Sequence, residues 1–308
     1  MKVAESKIHQ NKRWDAIWKI LFAIMAIVSS SFIVLLVLFI FMKGISPFMP
    51  GYEYGTQNLW QFLTGMLYRQ DQGIYGVGFI IINTLWSTLL ALIIAFPLSV
   101  LTALFIVKVA PKRVGDFLQT VVELLASIPS IVYGVFAAAV LTNLVKNVAG
   151  IFGITTAGGS SLLAVIILLA MMIFPTITSF SITAIRAVDK DLENASLALG
   201  ATKTQTSFKV VLLSAKSGIF AGAILGVGRA FGEATAVSMV AGNRMLGPTW
   251  NLFDITRTLT STMLAGLKET TGLDYDIRFS VGFVLLVVIL GTNALLNYFK
   301  KKVGNSIE

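Results

Sequence analysis

The stretch Gly218–Gly242, G-I-F-A-G-A-I-L-G-V-G-R-A-F-G-E-A-T-A-V-S-M-V-A-G, decides the class of this chain. It is long and apolar enough for a membrane-spanning helix, which needs about 20 residues. Arg229 and Glu233 sit near its middle. An arginine at a helix centre costs about 2.5–3.5 kcal/mol on insertion scales, so it needs a partner or water. Residues four apart share a helix face, so the spacing predicts an Arg229–Glu233 pair. Gly222, Gly226, Gly228 and Gly232 keep the helix slim, as close packing between membrane helices requires. Intramembrane charge marks function by default, so the face is read as lining a path. The competing reading is a structural ion pair that locks two helices together.

Composition agrees with a membrane protein. Of 308 residues, 56% are hydrophobic and 13% charged, against ~25% charged in ordinary globular chains. There is no cysteine, which excludes disulfides and thiolate metal sites. The one histidine, His9, lies in a polar leader and reads as solvated, so a histidine-based metal centre is excluded.

Working outward, residues 1–16 form a polar, basic leader with Lys2, Lys7, Lys12 and Arg13. Six spans are expected at about 17–42, 77–107, 117–143, 161–185, 218–242 and 279–299, giving an all-α integral membrane protein with one transmembrane domain over 17–308. The first apolar run is too long for a secretory signal and reads as a retained anchor. Pro97 and Pro175 fall inside spans two and four. Pro129 is expected to break the third near the surface, with Glu123 on an interfacial segment ahead of it. Residues 43–76 are rich in aromatics, including Tyr52, Tyr54, Trp60 and Tyr68, which favour the membrane interface. Residues 144–160 read as a connector. In 243–278, Leu252, Ile255, Leu259 and Met263 recur at helical spacing, so part of that segment is expected to be an amphipathic helix.

An even number of spans puts both termini on one side. The segments alternating with the termini split the basic residues 16 to 7, with Arg229 left over. The richer set holds the termini, 108–116 and 186–217, so these are expected in the cytoplasm. The net charge of +9 is thus accounted for by topology, and nucleic acid is not implied.

The cytoplasmic stretch 186–217 contains D-K-D-L-E-N-A-S-L-A-L-G-A-T from Asp189 to Thr202. Leu192, Ala195, Ser196 and Leu199 fall on one helix face. Asp189 or Asp191 is placed to cap its start, and Gly200 to end it in the left-handed conformation. A second short helix is expected over Lys203–Leu213. Two such helices make a knob able to dock into another protein; a plain linker is the alternative.

The run E-N-A-S-L-A-L-G-A-T-K-T-Q-T-S-F-K-V-V-L-L resembles the coupling loop of ABC importer permeases. Glu193, Ala195 and Gly200 match at the family's spacing. Asn194 departs from the first alanine, and Leu213 and Ser217 stand where prolines are usual. V-E-L-L-A-S-I-P-S-I-V-Y-G and G-R-A-F-G-E-A-T-A-V-S-M-V-A-G-N are similar to phosphate importer permeases of the PstC type. The resemblance implies a type I ABC importer permease fold in a bacterial or archaeal plasma membrane. It implies a PstA-like second permease, two copies of a cytoplasmic ATPase contacted through Glu193, Ala195, Leu199 and Gly200, and an extracytoplasmic phosphate-binding protein. The chain has no G-x-x-x-x-G-K-[ST] run, so ATP hydrolysis is expected in the partner, with no cofactor here. On this resemblance Arg229 holds phosphate oxygens, Glu233 tempers the attraction, and Thr235 and Ser238 are added donors or helix-packing residues. Three rivals compete: a permease for another oxyanion such as molybdate or sulfate, an ATP-independent channel or secondary transporter, and a membrane enzyme, which no cysteine or histidine constellation supports.

Overall fold

The computed structural model describes residues 2–304, with side chains over 14–302. His9 and the leader's basic side chains lie outside the described side chains. Six helices among the described residues are long and apolar enough to cross a membrane. Among the described residues a single hairpin of two-residue strands, Tyr68–Arg69 with Ile74–Tyr75, interrupts the all-α pattern.

Helix α1 covers Lys2–Ile45, absorbing the expected leader as well as the first span. After the short α2 (Leu59–Thr64), α3 starts at Gly78 and ends in a π turn at Phe105–Val109. Pro97 lies inside α3 without ending it.

The expected third span, 117–143, is not one helix. α4 (Lys112–Ser127) stops before Pro129, and the chain resumes as α5 over Ser130–Ile151. Ile128 is extended, with ψ 127°, as a residue before proline prefers. Glu123 lies on α4, ahead of the break, and accepts a hydrogen bond from Gln119 at 2.7 Å. Because α5 reaches Ile151, most of the first half of the expected 144–160 connector is helical.

α6 (Leu162–Arg186) is the hub. Ser161 caps it through the Ala164 amide, and Pro175 lies within it. Leu162, Val165, Leu168, Leu169, Met172, Ile173 and Ile177 are all buried around it. α7 is Lys190–Ala198. The expected second short helix over Lys203–Leu213 does not stand alone. A Thr202–Gln205 capping box starts a helix, α8, that runs through a π turn at Ser207–Val211 to Gly232. α8 packs along α6 at close range. A Cβ at Gly222 would lie 2.7 Å from Phe180 Cβ, and one at Gly226 would lie 2.8 Å from Ile177 Cγ1. Those two glycines pack as expected, whereas Gly228 and Gly232 have open space beside them.

The expected fifth span, 218–242, is also broken. α8 ends at Gly232, Glu233 is extended, and α9 covers Thr235–Val240. The amphipathic helix expected around Leu252–Met263 shrinks to α10, Leu259–Leu264; Leu252 and Ile255 lie in irregular chain held by loop hydrogen bonds. α11 runs from Leu273 to Gly304 and packs against α1.

The two ends of the bundle differ. One carries the π turn of α3, the start of α4, and α7. At the other, the loops interlock: Tyr68 donates its amide to Met245, Gly247 to Met66, Leu162 to Asp254 and Thr256 to Ala241.

Candidate functional site

The break at Glu233 sets the geometry of the charged pair. Side chains at i and i+4 meet only on an unbroken helix, and here the helix stops between them. Arg229 and Glu233 therefore form no ion pair, which corrects the expectation from their spacing. Arg229, half-buried, donates from Nη1 to Thr176 Oγ1 at 3.2 Å. Glu233 is buried, and its carboxylate accepts from the Ala236 amide at 2.9 Å. It thus serves the first turn of α9, where backbone donors lack helical partners. The Glu233 carbonyl accepts from Thr260 Oγ1 at 2.8 Å. Thr235 begins α9, and Ser238 donates back to the Thr235 carbonyl at 2.8 Å, so that hydroxyl is engaged within its own turn.

The segments around Ile128–Gly134 and Arg229–Val237 meet in space. A Cβ on Gly134 would lie 2.8 Å from Ala236 Cα, so only glycine lets α9 settle on α5. Tyr133 is within electrostatic reach of the Arg229 guanidinium. Leu225, Gly228, Arg229 and Gly232 form a stripe that the described residues leave partly uncovered. A single cation on an otherwise apolar, partly open stripe can hold an anion that enters along it. Thr176 and Thr260, which fasten the two charged residues, carry no sequence signal: a threonine in an apolar helix is equally a packing residue.

At the opposite end, Asp189 caps α7 through the Asp191 amide and Gly200 takes φ +88°, both as expected. Ser196 and Thr206 share a hydrogen bond of 2.9 Å, tying α7 to the root of α8. Glu193 forms an ion pair with Lys108 in the π turn of α3, with both side chains about four-fifths buried. Glu193 thus faces inward, onto the second span. Outward lie Leu192, Ala195, Leu197 and Leu199, the last 90% exposed. Of the face expected for this helix, Leu192, Ala195 and Leu199 are left uncovered by the described residues, whereas Ser196 is partly buried against Thr206.

The interlocked loops hold charges that patterning did not single out. Tyr52 donates to Asp276 at 2.7 Å, Lys43 lies 3.6 Å from the same carboxylate, and Tyr75 donates to Asp274. Burial, then these carboxylates, push the Tyr52 and Tyr75 phenols above their ordinary range. Arg257 and Arg278 are buried here, with Arg257 4.8 Å above the ring centre of Tyr68. Arginines in a polar loop look like topology markers, and no spacing reveals their burial.

The family described as binding-protein-dependent transport system inner membrane component matches residues 95–305. The probable ABC transporter permease protein YqgH of Bacillus subtilis is 34% identical over 309 residues, covering 98% of this chain and 97% of its own. The phosphate transport system permease protein PstC 2 of Mycobacterium tuberculosis is 31% identical over 288 residues, covering 89% of each. Among solved structures, a chain of a bacterial ABC transporter involved in import of the polysaccharide alginate superposes with TM-score 0.61. It is 18% identical over 94% of this chain and 99% of that one, a likeness of fold.

Proposed function

This chain belongs to the binding-protein-dependent transport system inner membrane components, and from that premise we propose that it is the PstC-like permease subunit of an ATP-driven phosphate importer. It pairs with a PstA-like permease, two ATPase subunits below and an extracytoplasmic phosphate-binding protein above. Both termini face the cytoplasm, on the same side as α7. The observation that carries the substrate is the run of relatives described as phosphate permeases at about this length, together with one intramembrane arginine on a partly uncovered stripe.

Arg229 contributes the positive, hydrogen-bonding group that an anion needs in hydrocarbon. Its guanidinium presents paired donors to phosphate oxygens. Glu233 acts otherwise than as a fixed counter-ion. It holds the bend, and so sets where Arg229 stands relative to α9 and α10. A carboxylate near the path, yet not bonded to the arginine, still lowers the net attraction and lets the anion leave. Thr235 borders the bend, and Ser238 steadies α9.

The α7 knob, with Ala195, Leu199 and Gly200 on its outer side, is the contact for the ATPase. Glu193 transmits the motion inward through Lys108 to α3, and the Thr202 cap carries it directly into α8. ATP binding in the partner thus moves two spans at once. The test is phosphate uptake in vesicles holding the complete complex, with and without ATP. Uptake that requires ATP and the binding protein is expected. ATP-independent uptake by this chain alone would replace the proposal with a channel, and uptake of molybdate or sulfate in place of phosphate would change the substrate.

A further inference from the structure

Arg257 is 7% exposed and Arg278 2%. Neither forms an ion pair among the described residues. Arg278 spends Nη1 on the carbonyls of Thr262 and Met263, at 3.0 and 3.2 Å, and Nε on Thr270 Oγ1 at 3.2 Å. Its Nη2 is buried without a partner, as are Nε and Nη1 of Arg257. The two guanidiniums are within electrostatic reach of one another, and both act on Tyr68. Burial and the neighbouring cation pull the Arg257 pKa below its ordinary value, while the Tyr68 phenol beneath it opposes that shift.

An uncompensated buried cation is strongly destabilising, and a second one within electrostatic reach adds to the cost. The acids nearby are committed: Asp274 to Tyr75, and Asp276 to Tyr52 and Lys43. Glu269 stands exposed near Arg278 without bonding it. Water would satisfy the free donors but not the charge. A carboxylate of a docked protein is tethered to its backbone, which would have to follow it past a surface that leaves Arg278 2% exposed; a free anion carries no such tether. A small anion with several acceptor oxygens satisfies both charge and donors.

We propose that Arg257 and Arg278 form a seat for a tetrahedral oxyanion at the interlocked-loop end, separate from Arg229. Arg257 precedes α10, Arg278 clamps its end, and Thr260 within α10 bonds the Glu233 carbonyl. The seat therefore stands one short helix from the bend and receives the anion before it meets Arg229. It rests on the transport reading for its place in the path, whereas the existence of the site is tested by binding alone.

The deciding experiment uses the assembled permease complex in lipid nanodiscs, in an Arg229→Gln background so that this site is read by itself. Equilibrium binding of inorganic phosphate and of sulfate is measured together with thermal unfolding. Arg257→Gln should weaken phosphate binding at least tenfold, and Arg257→Lys, a point charge without the fork, by less. Without phosphate, Arg257→Gln should melt no lower than its parent, since it removes an unpaired buried charge. The rise in melting temperature that phosphate gives the parent should vanish. Arg257→Gln carries the decision because Arg278 also holds backbone carbonyls, so Arg278→Gln threatens the fold. Equal phosphate binding in parent and Arg257→Gln would overturn the seat, as would binding of neither anion; ATP-driven phosphate uptake would then leave the proposed function standing. Arg257-dependent binding of sulfate but not phosphate would keep the seat and overturn the phosphate assignment. Weakened docking of the binding protein with phosphate binding unchanged would make a protein carboxylate the occupant and overturn the oxyanion seat.

Discussion

The two ends of the bundle handle their charges in opposite ways. At the α7 end, Glu193 meets Lys108 in a pair, while the leucines beside it, Leu192, Leu197 and Leu199, face outward. At the interlocked-loop end, apolar groups and threonines pack inward, while Arg257 and Arg278 are buried with donors to spare. One end pairs the charge it buries and leaves its leucines exposed, which suits a protein partner. The other buries two cations without an acidic partner, which suits a small ion. The bend at Glu233 lies between them, reached from one side through α8 and from the other through Thr260.

The strongest test of this contrast is at the bend. Arg229→Gln should lower phosphate uptake by the complete complex by about a hundredfold or more, as loss of a group that meets the substrate commonly does, without loss of folded protein. Normal uptake would remove the arginine from the path. At the α7 end, Glu193→Lys places two cations together and should reduce ATP-driven uptake by roughly tenfold or more, through a coupling contact of the 1–3 kcal/mol class. The exchange Lys108→Glu with Glu193→Lys should recover part of it. The informative quantity is phosphate moved per ATP hydrolysed. If the exchange recovers folding but not that ratio, Glu193 acts on the ATPase directly and not through α3.

Smaller effects sharpen the picture. Gly226→Leu pushes α8 from α6 and should destabilise by about 1–3 kcal/mol, the usual cost of overpacking, read as a lower melting temperature. Thr260→Val removes one buried hydrogen bond to the Glu233 carbonyl and should cost about 1 kcal/mol, with a larger fractional effect on uptake than on melting if the bend positions Arg229. Leu199→Ser, at a side chain 90% exposed, should leave melting unchanged within about 0.5 kcal/mol and weaken co-purification of the ATPase. A drop in melting would place Leu199 in the packing of this chain.

Much of this was legible in the residues. The six apolar runs needed only length and hydropathy. Asp189 and Gly200 announced the ends of α7, because capping is local chemistry, and the same stretch predicts a helix beginning at Lys203. Pro129 announced the break before α5, because a proline restricts the residue ahead of it. The break at Glu233 carried no such mark. Gly232 and Glu233 fit a helix by composition, and the chain turns there because α9 seats on Gly134 of α5 and Thr260 takes the Glu233 carbonyl. The spacing rule for Arg229 and Glu233 failed for that reason alone. The extra helical residues in α5 and α8, each with a π turn, were equally silent in the sequence.

What the sequence by itself determined is therefore what depends on neighbours along the chain: the number of apolar helices, the ends of α7, the presence of charge inside an apolar run, and the Glu193–Ala195–Gly200 spacing that resembles the family's signature. What only the tertiary structure decided is which charges meet and which do not. Pairing depends on distance between segments remote in sequence, as with Lys108 and Glu193, or Thr260 and Glu233. Burial depends on what packs over a residue and not on its own kind, so Arg257 and Arg278 become unmatched charges only once the loops close over them.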